Sequence, residues 1–132
     1  MKHEDLSNKI IKAFYKVYNT LGYGFLEKVY ENALSFELKQ QGLFVGKQKK
    51  IEVYYLGQLV TEYYADLIVN ELVILELKAH ECLLEEHENQ LINYLKATNV
   101  EVGLLLNFGK KPELRRKIFD NDKKMLARIE HG

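Results

Sequence analysis

The order of hydrophobic patterns along the chain predicts an α/β protein of the mixed-sheet α+β kind, with the element order ααβββαβ and a short C-terminal element. Three observations carry this. Helical spacing of apolar residues is closed twice by a glycine within the first 42 residues. Two runs rich in β-branched and aromatic residues then flank Gly57, and a further helical segment separates the third strand from the apolar run "VEVGLLLNF". A meander that feeds a helix and then another core strand implies a mixed sheet with helices packed against it.

The first helix spans about Asp5 to Leu21, with Ile10, Ala13, Phe14, Val17 and Leu21 on one stripe and Gly22 as its stop. The second, "GFLEKVYENALSFELKQQG", repeats the spacing through Leu26, Val29, Tyr30, Ala33, Phe36 and Leu38 and closes at Gly42. "KKIEVYYLG" and "QLVTEYYADLIV" form a hairpin about Gly57, and "ELVILELKA" supplies the third strand. From about Cys82 to Ala97, Leu84, Leu91 and Leu95 restore a helical spacing, and "VEVGLLLNF" reads as a strand buried on both faces. Pro112 introduces "ELRRKIF", a short helix or strand, and a polar tail from about residue 120 is expected to be loosely held. With no linker, repeat or low-complexity stretch, residues 1–132 read as a single domain.

Nineteen basic and nineteen acidic residues cancel, so a nucleic-acid partner would have to be gripped locally rather than by a global positive field. The lysines at 47, 49 and 50 and the basic run Lys110, Lys111, Arg115, Arg116 and Lys117 are read chiefly as solvated surface. One cysteine, Cys82, excludes an intramolecular disulfide. The first residues lack the apolar core of a signal peptide, and no apolar run is long enough to span a bilayer as a helix. A cytoplasmic location and no membrane partner are the expectation. His80, Cys82 and His87 do not make a structural zinc site, having no matching second pair of ligands, and His87 reads as a surface histidine.

The third strand poses the functional question. Val73, Leu75, Leu77 and Ala79 share one face of it, leaving Glu76 and Lys78 together on the other. Asp66 lies in the preceding strand. A two-residue turn at Asn70 and Glu71 would set Asp66 opposite Leu75, on the wrong face for Glu76. Pairing Asp66 with Glu76 requires an odd-numbered loop, such as Asn70 to Leu72, or a bulge.

The pattern Asp66, nine residues, Glu76, one residue, Lys78 resembles the nuclease motif of the PD-(D/E)xK, or restriction-endonuclease-like, superfamily. "GFLEKVY", with Gly24, Glu27 and Tyr30 at three-residue intervals, resembles the signature of the small bacterial GxxExxY family within it, and the likeness extends over roughly Asp5 to Phe119. The resemblance implies a restriction-endonuclease-like core and hydrolysis of nucleic-acid phosphodiesters, chiefly DNA, with Mg²⁺ or Mn²⁺. Asp66, Glu76 and the main-chain carbonyl of Leu77 would hold the metal, with Glu27 accessory, and Lys78 would position water. Hard carboxylate oxygens suit such an ion, and an ammonium group offsets charge that develops on the phosphate. "QLINYL" resembles the Q-x-x-x-Y motif of recombination helicase-nucleases, which implies that Gln90 meets a phosphate or the lysine and that Tyr94 meets the substrate backbone. Tyr30 is a further substrate contact or else a core residue. Ala65 stands where the superfamily's name puts proline, which contributes no ligand. A second reading is a catalytically silent nucleic-acid- or protein-binding module that keeps the fold. Tyrosines of an edge strand such as "VYYLG" suit a homodimer.

Overall fold

The structure, a computed structural model, describes residues 2–124. Five strands build one sheet in sequential order: β1 (Val45–Tyr55), β2 (Gln58–Val69), β3 (Val73–Lys78), β4 (Val102–Phe108) and β5 (Pro112–Ile118). β1, β2 and β3 pair antiparallel, β3 and β4 parallel, and β4 and β5 antiparallel, so the sheet is mixed as the element order implied. α1 (Glu4–Leu21) and α2 (Glu27–Gln40) pack on one face, and α3 (Glu85–Lys96), the crossover between the parallel pair, packs on the other.

Strand alternation builds two cores. Leu67, Val69, Val73, Leu75, Leu77, Leu104 and Leu106 join Ile10, Phe14, Tyr30 and Leu34 under the helix pair, whereas Ile68, Ile74 and Leu105 join Leu91 and Leu95 under α3. Every residue of β4 is buried, the pattern expected of a strand covered on both faces. Gly103 lets α3 settle onto that strand, since a Cβ there would stand 2.6 Å from Leu91 Cδ1. Among the described residues, no helix is long and apolar enough to cross a membrane.

Three local expectations change. On α2 the buried face is Tyr30, Glu31, Leu34, Ser35 and Leu38, while Leu26, Val29 and Phe36 stay exposed, because the helix carries two apolar stripes and only one faces the sheet. "ELRRKIF" resolves as strand β5, with Pro112 opening an edge where its missing N–H leaves no ladder bond unmade. The tail is anchored through residue 124: Asn121 N–H donates to Glu101 Oε2 at 2.8 Å, and Lys124 Nζ donates to the Thr98 carbonyl at 2.9 Å. Residues 125–132 of the expected polar tail lie outside the described residues.

The β2–β3 loop has the odd length that the motif demands. Asn70, Glu71 and Leu72 form it, and the pairs Val69↔Val73, Ile68↔Ile74 and Leu67↔Leu75 continue toward Asp66 and Glu76. Both Asn70 (φ 53°) and Glu71 (φ 59°) are left-handed, and Leu72 N–H closes the turn on the Val69 carbonyl at 2.9 Å. Asn70 also exchanges two bonds with Phe44, its Oδ1 accepting at 2.8 Å and its N–H donating at 2.7 Å, which ties the loop to the start of β1.

Beyond this point the β1–β2 hairpin runs on without β3 as a two-stranded arm that ends at the Tyr55↔Gln58 pair. Its faces exchange at the site. Leu67 packs under the two-helix layer, but Ala65, two residues away, packs in the α3 core. The partner of β2 at this level is Gln48, which stands between the pairs Lys47↔Leu67 and Lys49↔Ala65 and adopts φ 49°. A left-handed residue in one strand rolls the ribbon over, and Asp66 sits where it rolls.

Candidate active site

At Asp66 and Glu76 side chains take over from the backbone ladder. Asp66 N–H donates to Glu76 Oε2 at 2.8 Å, and Leu77 N–H donates to Asp66 Oδ2 at 2.8 Å. Each carboxylate thereby satisfies the other strand's main chain with one oxygen. The exchange lets the strands part while leaving no orphaned N–H, and it fixes both acids side by side.

The electrostatics of the pair are strained by burial. Glu76 is 3% exposed; loss of solvent, and then the Asp66 charge, push its carboxyl from the ordinary 4.5 up to about 8. Asp66 is raised in the same sense, mainly by burial. The Leu77 N–H and the Lys78 charge oppose that rise, whereas Glu31 and Glu27 reinforce it. Among the described residues no lysine, arginine or histidine forms an ion pair with either acid. A buried and a partly buried carboxyl with no ion-pair partner are a costly arrangement once both ionise, unless something positive is bound.

Lys78 lies on the same strand face as Glu76, and its ammonium is held by α3 rather than by the acids. Nζ donates to Gln90 Oε1 at 3.2 Å, and Gln90 Nε2 donates to Tyr94 Oη at 3.1 Å. The four-residue spacing of Gln90 and Tyr94 stacks them on one stripe of α3, which makes this relay possible. Tyr94 is buried, its ring tilts against Tyr63 at 5.1 Å, and burial with the nearby Glu76 and Asp66 charges pushes its phenol up to about 12. Tyr94 thus supports Gln90 from the edge of the α3 core.

Glu27, the first residue of α2, reaches round the end of β3. Its Oε2 accepts from Ala79 N–H at 3.3 Å and lies 3.7 Å from His80 Nε2. It neighbours the acid pair closely enough for its charge to raise both carboxyls. Tyr30 is a correction of the substrate-contact reading. It is fully buried, stacks on Phe108 at 4.2 Å, donates to the Gly22 carbonyl at 2.6 Å and accepts from Phe25 N–H at 3.1 Å.

Motif spacing does not single out Glu31 and Gln48, and it misreads His87. Buried Glu31 accepts from Lys28 Nζ at 3.0 Å and from Gln48 Nε2 at 2.9 Å, so it holds the left-handed residue opposite Asp66. Its four-residue offset from Glu27 is the signal that could have found it. His87 is buried rather than on the surface, and its Nδ1 accepts from Leu84 N–H at 3.1 Å, capping α3. The loop between β3 and α3 is clamped by Asn107, whose Oδ1 accepts from His80 N–H and whose Nδ2 donates to the His80 carbonyl, both at 2.9 Å. Among the described residues no cluster of three or more His, Cys, Asp or Glu side chains is placed to hold a metal, so a metal here would need donors beyond side chains.

Residues 4–117 match a family model described as the PD-(D/E)XK nuclease superfamily, a window that takes in Glu27, Asp66, Glu76, Lys78, Gln90 and Tyr94. Among solved structures, the crystal structure of SSO0001 superposes with a TM-score of 0.57 at 19% identity, over 76% of this chain and 54% of that one. The chain thus spans about half the length of that protein, and the likeness is one of fold. No curated protein matches the chain.

Proposed function

The chain belongs to the PD-(D/E)XK nuclease superfamily, and from that premise we propose that it hydrolyses phosphodiester bonds of nucleic acid, DNA in the first instance, at a divalent-metal site built on Asp66 and Glu76. The observation that carries the reading is the acid pair of buried Glu76 and partly buried Asp66: two carboxyl groups fixed by each other's backbones, both raised in pKa and, among the described residues, neither in an ion pair. Hard oxygen donors with unmet charge suit Mg²⁺ or Mn²⁺. Each acid has one oxygen in a backbone hydrogen bond and the other left to give, and the Leu77 main-chain carbonyl is the third donor in this reading. Glu27 is the accessory acid of this reading, its Oε2 accepting from Ala79 N–H at the end of β3.

Bound there, the ion polarises the phosphate and lowers the pKa of a coordinated water. The Lys78 ammonium would stabilise charge gathering on the phosphate and orient the attacking water. Gln90 positions that ammonium and Tyr94 positions Gln90. The lysine is in this way kept from collapsing onto Asp66 and Glu76, where it would compete with the ion.

The finer assignment follows the same motifs: Gly24, Glu27 and Tyr30 suit the bacterial GxxExxY branch, and β1 leaves a sheet edge along which a second copy could pair. The decisive experiment compares purified protein with Lys78→Ala on plasmid DNA, with Mn²⁺ and with chelator. Cleavage by the wild type with metal alone, lost in a variant whose circular dichroism is unchanged, is the expected result. A folded wild type that binds nucleic acid but leaves it intact under every metal would make the chain a silent binding module instead.

A further inference from the structure

The connection between α1 and α2 exposes aromatic rings next to Glu27, and its backbone and the Phe25 ring are held in place. It ends at Glu27, whose carboxylate meets Ala79 at the end of β3. Tyr23, Phe25 and Leu26 within it are 54, 48 and 81% exposed. So apolar a surface loop would ordinarily be mobile. This one is pinned from beneath: the Tyr30 hydroxyl bonds both Gly22 and Phe25, and the Phe25 ring stands edge-on to Tyr30 at 6.1 Å. Gly22 N–H closes on the Tyr18 carbonyl at 2.8 Å, and Gly24 takes φ 116°, a backbone that a side chain would strain.

Lysines stand on the elements next to the loop, interspersed with Glu27, Glu31 and Glu81. Lys28 follows on α2, and Lys110 and Lys111 lie in the β4–β5 turn, whose Gly109 and Lys110 carbonyls both accept from Tyr18 Oη at 2.8 Å. Lys110 pairs with Glu81 at 3.0 Å between two exposed side chains, a contact that contributes little and leaves the ammonium open to a phosphate, whereas Lys28, itself exposed, is held at 3.0 Å by buried Glu31. Exposed rings on a pinned loop, ammonium groups on its neighbours and an adjoining phosphodiester site are the parts of a single-strand binding surface, in which phosphates follow the charge and bases stack on the rings. A duplex keeps its base faces inside the helix and has none to offer.

We propose that Tyr23 and Phe25 form a stacking platform for unpaired nucleobases, so that the substrate class of the acid site is nucleic acid with an unpaired strand rather than intact duplex. The platform rests on the nuclease reading for its site and on the loop for its selectivity. The Phe25 ring and the loop backbone are ordered before the strand arrives, so less freedom is lost on stacking.

The test uses the wild-type chain with Ca²⁺ and fluorescence anisotropy on three probes: a labelled oligothymidylate, its duplex with oligoadenylate, and the same single strand carrying abasic sites. Single-strand affinity is expected to exceed duplex affinity by about tenfold and to fall roughly five- to hundredfold on the abasic strand, the range that loss of stacking spans. Tyr23→Ala and Phe25→Ala should show the same loss with duplex affinity unmoved, and Tyr23→Phe should keep the affinity. Equal affinity for the three probes, or variants that weaken duplex and single strand alike, overturns the platform. Cleavage with Mn²⁺ is read in parallel. Cleavage combined with indifference to strandedness leaves the nuclease standing and sinks the platform, whereas ring-dependent single-strand binding without cleavage sinks the nuclease and keeps the platform.

Discussion

Glu76→Gln should stabilise the metal-free protein while removing its metal response. Glu76 is 3% exposed, and its carboxyl is displaced from 4.5 to about 8 by burial and the Asp66 charge. Because the folded pKa is raised, the folded state keeps a proton that the unfolded chain has released throughout that window. Stability from this group is therefore full below about pH 4.5, falls as the pH rises and is lost above about pH 8. The slope inside the window is about 1.4 kcal/mol per pH unit, so raising the pH from about 5.5 to about 7.5 should cost the wild type on the order of 2–3 kcal/mol. The amide of the variant keeps an oxygen to accept the Asp66 N–H but has no charge to lose. The assay is urea unfolding of both proteins in chelator at the two pH values, where the difference between the curves cancels the groups they share. The gap should move in the variant's favour by that amount. Mn²⁺ at about a hundred times its Kd should then return about 2.7 kcal/mol to the wild type and far less to the variant. A gap that does not change with pH would mean that Glu76 ionises as an ordinary surface acid, and the case for a desolvated metal site would fall with it.

Three further outcomes follow from the same geometry. Gly109→Ala places a Cβ 2.2 Å from the His80 carbonyl oxygen and 2.9 Å from Asn107 Nδ2, so it should break the clamp on the β3–α3 loop and lower the urea midpoint by about 1–3 kcal/mol equivalent. Tyr30→Phe leaves the Gly22 carbonyl and Phe25 N–H without their partner and should cost about 1–3 kcal/mol by the same measurement, with faster amide exchange confined to residues 22–26. Glu71→Gly should stabilise by about 1 kcal/mol in thermal melts, because Asn70 and Glu71 are both left-handed and Asn-Gly is the preferred pair for such a turn.

The sheet and the acid pair are legible in the sequence because both obey period two. Parity alone shows that Asp66 and Glu76 can meet only across an odd loop or a bulge, and the structure has the odd loop Asn70 to Leu72. Helix faces are harder to read. α2 offers two apolar stripes, and nothing in the spacing says which one the sheet will cover, so spacing assigns Phe36 inward and leaves Glu31 among the solvated charges. Tyr30 and Tyr94 carry both an apolar ring and a polar tip, and a motif position does not tell whether the tip faces substrate or the protein itself. Gln48 gives no warning, since left-handed backbone at a non-glycine residue is imposed by tertiary contacts.

The carboxylates at this site serve two purposes that oppose each other. As acceptors for Asp66 N–H and Leu77 N–H they replace the ladder bonds that β2 and β3 give up where the hairpin rolls over, so they are structural members of the sheet. As neighbouring acids they repel once both ionise, and that repulsion adds to burial in holding the Glu76 proton. A neutral amide at either position would hold the strands as well without the repulsion, and hydrogen-bonding need alone does not explain two acids there. Tethering Lys78 to Gln90 adds to the imbalance by keeping the nearest ammonium off the pair. On the proposed reading a cation from outside the chain would offset that repulsion, sharing the oxygens not used by the backbone and leaving the backbone bonds in place.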